Sequence, residues 1–280
     1  MPDFDPSTLY SVMLTVYRGD KPTELEAAVE SCLDQTYPPA ELLLVADGPL
    51  TDALQELVDS YVARHPDVVR LHQLAENRGR GAAARKGIEE CTHDFVGVMS
   101  SDDICVPDRF ECQVAFLDAH PEVDAVGGYI AEFTENPTDI DRVRKVPTDP
   151  DAVERVATYR SPMNEVTVTF RREAVLSAGN YRPLDRMEDY DLWVRMIQDD
   201  ATLTNLDTVL VKVRGGKAML GRRGGFEYAR EDLRQQREFL NSGFIGLPRF
   251  LLNLSIRVPL RLVPNAVRSV IYRRFARSKQ

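Results

Sequence analysis

A chain of 280 residues, 43% hydrophobic and 28% charged with 16 glycines and 17 prolines, excludes collagenous, low-complexity and disordered classes and suits one large α/β domain with an appendage, or two small domains. The formal net charge of −9 is unevenly spread, because no acidic residue follows Glu238 whereas eight basic residues do, from Arg249 to Lys279. The anionic body would repel nucleic acid, no apolar run is long enough to span a membrane, no secretory signal is visible, and Cys32, Cys91, Cys105 and Cys112 lack zinc or disulfide spacing, so a reducing cytosol is the expected compartment.

Residues 11–17 (S-V-M-L-T-V-Y) form a short β-rich apolar run, and 24–33 carry helical spacing with an acidic first turn. The run L-L-L-V-A at 42–46 is too short for a helix and stops at the turn Asp47-Gly48-Pro49, so it reads as a second strand. Helical periodicity returns over 52–64, and a third strand at 68–74, a third helix at 81–91 and a fourth strand at 95–99 follow. This alternation builds βαβ units and hence a mostly parallel sheet covered by helices on both faces. Further on, Glu188-Asp189 opens an amphipathic helix whose apolar side carries Leu192, Trp193, Met196 and Ile197. The segment 226–280 mixes apolar residues with arginines and is punctuated by Pro248, Pro259 and Pro264. Two readings of it stay open: basic amphipathic helices lying on an anionic membrane surface, or helices packed back on the body with their arginines satisfying acidic groups.

Ligands of such sheets lie beyond the carboxyl ends of the strands. Those ends hold Tyr17-Arg18-Gly19-Asp20, Asp47-Gly48-Pro49, Asn77-Arg78-Gly79-Arg80-Gly81 and Ser100-Ser101-Asp102-Asp103. The stretch Gly79-x-Gly81-x-x-Ala84 matches a dinucleotide fingerprint in form only, since it follows the third strand and not the first.

Seven segments run in order along the chain: S-V-M-L-T-V-Y at 11–17, Q-T-Y-P-P at 35–39, L-L-V-A-D-G-P-L-T at 43–51, E-N-R-G-R-G at 76–81, S-S-D-D-I-C-V-P-D-R-F-E-C-Q at 100–113, M-E-D-Y-D-L-W-V-R-M at 187–196 and G-R-R-G-G at 221–225. In them the sequence resembles glycosyltransferase family 2, and most of all the subgroup that builds bacterial exopolysaccharides such as amylovoran. The resemblance implies a GT-A fold, an α/β architecture with a mixed, mostly parallel central sheet flanked by helices. It places a catalytic domain over 1–225 and a helical tail over 226–280. The implied activity is inverting transfer of a sugar from a nucleoside diphosphate donor, a UDP-sugar by preference, to a glycan or lipid-linked acceptor. The enzyme would use Mg²⁺ or Mn²⁺ and work at the inner face of the cell membrane, touching its anionic surface through the tail.

The chemistry asks for the residue types found. A diphosphate leaving group gains charge as the glycosidic bond breaks, and a hard divalent cation held by carboxylates stabilises it. By the resemblance Asp102 and Asp103 carry that metal, Asp102 as the direct ligand, although Ser100 stands where the D-x-D element has its first aspartate and so removes one negative charge. Ser100 and Ser101 line the nucleotide. Asp47 takes the place of the base-binding aspartate, and the backbone of Thr15, Val16 and Tyr17 lines the same pocket. Arg78 or Arg80 approaches the diphosphate, a choice that the sequence leaves open. Asp189 is the implied general base for the acceptor hydroxyl, and Glu188 shapes the acceptor site. Acidic residues at a helix N-terminus stay ionised readily, which suits a base. Glu165 and Val166 depart from the His-Pro that relatives carry within 164–170. Arg222 and Arg223, in a glycine-rich cationic loop, would compensate the diphosphate and offset the loss at Ser100. Two rival readings remain: a nucleotide-sugar-binding protein without turnover, motivated by Ser100 and the altered 164–166, and a nucleotidyltransferase, for which Tyr17-Arg18-Gly19-Asp20 is a poor phosphate loop.

Overall fold

The computed structural model describes residues 8–184, 186–215 and 225–262. Strands β1 (Tyr10–Val16), β2 (Glu41–Ala46), β3 (Val69–Gln73) and β4 (Phe95–Ser100) alternate with helices α1 (Pro22–Leu33), α2 (Asp52–Arg64) and α3 (Arg80–Glu90). All pairings within β3-β2-β1-β4 are parallel, with Val16 opposite Ala46 and Thr15 opposite Ser100. The carboxyl ends of β1, β2 and β4 therefore lie side by side at one rim of the sheet. Helix α1 starts at Pro22, earlier than the acidic turn predicts, because the fixed φ of proline is already helical and its missing N–H is not needed there.

Beyond β4 the chain adds β5 (Ile104–Cys105), α4 (Arg109–Ala119), β6 (Ala125–Phe133), β7 (Ile140–Arg144) and α5 (Pro150–Ala157). A 3₁₀ turn at Glu165–Thr167, β8 (Thr169–Arg171), α6 (Arg172–Ser177), α7 (Glu188–Gln198) and β9 (Leu203–Arg214) follow. The strand order is β3-β2-β1-β4-β8-β6-β9-β5, with β7 on β6. β8 runs antiparallel to both β4 and β6, whereas β6 and β9 are parallel, so the sheet is mixed past β4.

Side chains alternate between two cores. Val12, Leu14, Leu42 and Leu44 face α1, α2 and α4 through Leu25, Val58, Tyr61 and Phe110. Met13, Leu43, Val45, Val96 and Val98 face α3, α6 and α7 through Ala83, Ile88, Val175, Leu192, Trp193 and Met196. Period-two alternation with both faces apolar is what a strand needs between two helical layers. Through the first core runs a buried polar network. Arg109 is fully buried and donates from Nη2 to the Val98 carbonyl at 2.9 Å and from Nε to Gln113 Oε1 at 3.0 Å. Gln113 in turn donates to the carbonyls of Val126 and Thr167, at 2.7 and 2.8 Å, which ties β4, β6 and the 3₁₀ turn together beneath the rim.

The chain divides into two compact units, Met1–Arg214 and Gly215–Gln280. In the second, α8 (Phe226–Asn241) and α9 (Leu247–Leu262) pack against each other. Asp232 of α8 is fully buried and receives both Arg257 and Arg261, the latter at 2.7 Å, and Asn253 donates to Gln236 Oε1 at 2.7 Å. These two arginines thus neutralise an acid within the same unit. Pro259 lies inside α9, three residues before the last described one, and withholds one backbone donor from the helix. No helix among the described residues is long and apolar enough to cross a membrane.

Candidate active site

Asp47 directly follows β2 and is only 6% exposed, and its backbone N–H donates to the Val16 carbonyl at 2.8 Å. One carboxylate oxygen accepts the Arg78 N–H at 2.7 Å and the other the Gly79 N–H at 3.0 Å, so Asp47 organises the loop that enters α3. Gly48 makes this contact sterically permissible. Its φ is +87°, and a Cβ there would come within 2.5 Å of the Asn77 nitrogen. A carboxylate has about four lone-pair sites, so each oxygen of Asp47 retains one beyond the backbone contacts. Thr15 and Val16 are the last residues of β1, and Tyr17 is exposed just beyond it.

At the neighbouring strand ends, Ser101 and Asp103 are buried and Ser100 and Asp102 half-buried. Asp103 Oδ1 accepts the Arg214 N–H at 2.9 Å. Burial first, and then the charge of Asp102, push the Asp103 carboxyl well above the ordinary carboxylate range. Asp20, which the sequence reading did not single out, joins this group. Its Oδ2 accepts the Tyr17 N–H at 2.9 Å and it hydrogen-bonds to Ser101. Burial and the Asp102 charge raise its pKa as well. Its signal in the sequence was its place just after the first strand, without any motif to pick it out.

Among the described residues, no three acidic, cysteine or histidine side chains converge closely enough to hold an ion. Magnesium-type sites serving phosphorylated substrates take one or two carboxylates and complete their shell with phosphate oxygens and water. Asp102, crowded by Asp20 and Asp103 so that negative charge accumulates, fits that partial, oxygen-only donor set. Because Asp103 is engaged by the Arg214 amide, Asp102 is the better disposed of the two to touch a cation.

The third component comes from α7. Met187 precedes the helix in the left-handed region, φ +59°, a conformation a non-glycine residue holds only when its surroundings impose it. Glu188 and Asp189 then open the first turn, Glu188 buried and Asp189 half-buried. Buried Asp191 anchors the helix through Arg195 at 2.8 Å and Arg182 at 3.3 Å. Arg80, the first residue of α3, reaches across: its Nη2 donates to Glu165 Oε2 at 2.5 Å and its Nε lies 3.4 Å from Glu188 Oε1. Gly81 lets the backbone at Arg182 pack against the start of α3, since a Cβ there would lie 2.3 Å from the Arg182 carbonyl oxygen. The guanidinium also acts on Asp103, which links the β4 end electrostatically to the α7 N-terminus.

The two arginines left open in the sequence thus differ. Arg80 is engaged with two carboxylates, whereas the Arg78 side chain is 66% exposed with only Glu76 at 3.9 Å. Glu165, noted in the sequence only as a departure from a pattern, joins Arg80 and Glu188 in this cluster. Arg222 and Arg223 lie outside the described residues.

Residues 11–228 match the sequence profile of the family "Glycosyl transferase family 2". The chain is similar to the amylovoran biosynthesis glycosyltransferase AmsE of Erwinia amylovora, 35% identical over 264 residues, covering 94% of this chain and 98% of that protein. It is also similar to the UDP-Gal:alpha-D-GlcNAc-diphosphoundecaprenol beta-1,3-galactosyltransferase of Escherichia coli, 32% identical over 273 residues and 98% of each chain. Among solved structures, the mannosyltransferase PcManGT of Pyrobaculum calidifontis, in complex with GDP-Man and Mn²⁺, superposes with a TM-score of 0.65 at 19% identity, covering 99% of this chain and 78% of that one. That likeness shows the fold, a GT-A-like α/β architecture with a mixed central sheet.

Proposed function

The chain belongs to glycosyl transferase family 2 and is a glycosyltransferase, and on that premise we propose that it performs a metal-assisted, inverting single displacement in which Asp47, Asp102 and Asp189 divide the work. It moves a sugar from a nucleoside diphosphate donor to a glycan or lipid acceptor. The observation that supports this division of labour is Arg80: it opens α3 after the loop that Asp47 holds, lies beside Glu188 at the start of α7, and acts on the charge of Asp103 beyond β4.

In this reading the spare lone pairs of Asp47 accept a ring N–H of the nucleotide base, and the ends of β1 with Ser100 and Ser101 line the ribose and phosphates. Arg78 approaches the diphosphate. A divalent cation held by Asp102 and diphosphate oxygens would neutralise charge on the leaving group. Asp189 accepts the proton of the acceptor hydroxyl as its oxygen bonds to the anomeric carbon. The carbon–oxygen bond to the diphosphate breaks at the same time, and the nucleoside diphosphate leaves with the electron pair. Glu188 faces the acceptor beside Asp189.

A UDP-sugar donor and a lipid-linked acceptor are favoured by the activity in the name of the Escherichia coli relative, which uses UDP-Gal and a diphosphoundecaprenol acceptor. Contact with an anionic membrane surface is favoured by α9, where Leu247, Leu251, Leu252 and Ile256 are all exposed. The test is turnover by the purified full chain of a panel of UDP-, GDP- and dTDP-sugars with Mn²⁺, using a GlcNAc-diphospho-lipid as the acceptor. The expected result is nucleoside diphosphate release with one donor class, abolished by EDTA and restored by Mn²⁺. Tight donor binding without turnover would make it a binding protein, and turnover indifferent to EDTA would remove the metal.

A further inference from the structure

Three carboxyl groups and one permanent cation meet where α3, the 3₁₀ turn and α7 come together. Arg80 is bonded to Glu165 and lies beside Glu188, and Asp189 is close enough to both glutamates to raise the pKa of each. The side chains of Glu165 and Glu188 are 9% and 8% exposed. The buried phenol of Tyr181 also acts on Glu165. Since a guanidinium does not deprotonate, full ionisation of the three acids would leave two uncompensated negative charges in a site with little water. Burial, opposed by Arg80 and reinforced by Asp189 and then Glu188, accordingly pushes the Glu165 carboxyl up. Arg80 and Glu165 are 85 positions apart, so the fold alone brings them together.

We propose that Arg80 and Glu165 are a positioning pair for Asp189: Glu165 draws the Arg80 guanidinium toward itself, so that Arg80 steadies Glu188 at the first position of α7 without forming an ion pair with the neighbouring base. The inference rests on Asp189 being that base. If the Glu165 carboxylate is lost, Arg80 keeps its charge and turns fully to Glu188 and Asp189. An ion-paired carboxylate is a weaker proton acceptor, and one unit of lost basicity corresponds to about tenfold in the protonation equilibrium.

The test uses the full chain with Mn²⁺ and the UDP-, GDP- and dTDP-sugar panel, reading nucleoside diphosphate release. For Glu165→Gln the expected result, read above about pH 8 where the wild-type carboxyl is ionised, is a fall in kcat of about tenfold with donor KM within about threefold. The wild-type kcat should rise as pH passes through about 8, where Glu165 ionises and takes up more of the Arg80 charge, and the Gln variant should lack that rise. Glu165→Asp should keep it. The double variant Glu165→Gln/Arg80→Gln should recover activity relative to Glu165→Gln, because the misdirected cation is gone. Wild-type kcat and pH profile in Glu165→Gln would overturn the proposal, as would a loss confined to KM or a double variant no better than the single. If the wild type turns over no donor, the glycosyltransfer reading fails on its own account. The positioning claim is then judged by hydrogen exchange: Arg80→Gln should speed exchange of amides 189–192 at unchanged global stability, and unchanged exchange overturns it.

Discussion

What surrounds a buried carboxylate decides whether it holds the fold or serves chemistry. Glu41 is 3% exposed at the start of β2 and is satisfied on every side: by the Ser11 hydroxyl at 2.6 Å, by the Thr92 N–H and hydroxyl at 2.7 and 3.1 Å, and by Arg70. Burial opposes its charge, but these donors and the Arg70 cation together outweigh burial and hold its pKa below the ordinary value. Glu41→Gln puts an amide N–H against donors and should destabilise the fold by about 2 kcal/mol in urea unfolding at pH 7. Because the folded pKa is depressed, this stabilisation is present above the unfolded pKa of about 4.3 and is lost as pH falls through the folded value. The gap between wild type and variant should therefore close in acid; a gap constant from pH 7 to 3 would contradict the assignment. Asp20, Asp103 and Glu165 show the opposite shift, led by burial and reinforced by neighbouring like charges. At this scale the placement of a residue was legible where it followed a strand end, as Asp47 and Asp102 do, or opened a helix, as Asp189 does. It was illegible where the role comes from a partner far along the chain. Nothing near Arg80 in the sequence announces Glu165, and nothing near Asp20 announces Ser101.

At the scale of elements, strong periodicity carried through. Residues 52–64 and the helix opening at Glu188 read correctly because each presents a continuous apolar face to the sheet. The antiparallel part past β4 was not readable, since β5 and β8 have two and three residues and owe their existence to neighbours instead of to any run of their own. The C-terminal helices show a further limit. Both readings of the basic segment kept its arginines together, yet Arg257 and Arg261 turn inward to Asp232 while Leu251 and Ile256 stay exposed on α9. The membrane proposal consequently rests on the apolar face of α9. Leu251→Glu/Ile256→Glu should lower the fraction of full-length protein co-sedimenting with phosphatidylglycerol-containing vesicles by about tenfold, each side chain forfeiting part of its burial in lipid. Wild-type partitioning of that variant would assign α9 another role.

At the scale of the molecule, the parallel half of the sheet brings the ends of β1, β2 and β4 to one rim, and the later chain folds back so that the first residue of α7, Glu188, lies beside the first residue of α3, Arg80. Under the proposed function this return supplies a donor side and an acceptor side in one unit: the early strands would face the nucleotide and its cation, and α7 the incoming hydroxyl. The proposal thereby separates binding, given to Asp47, from chemistry, given to Asp189. The most direct measurement compares, for Asp189→Asn and wild type, turnover of the active donor and affinity for UDP with Mn²⁺. The account predicts turnover lower by about a hundredfold or more with nucleotide affinity within about threefold. Full turnover in that variant would contradict it.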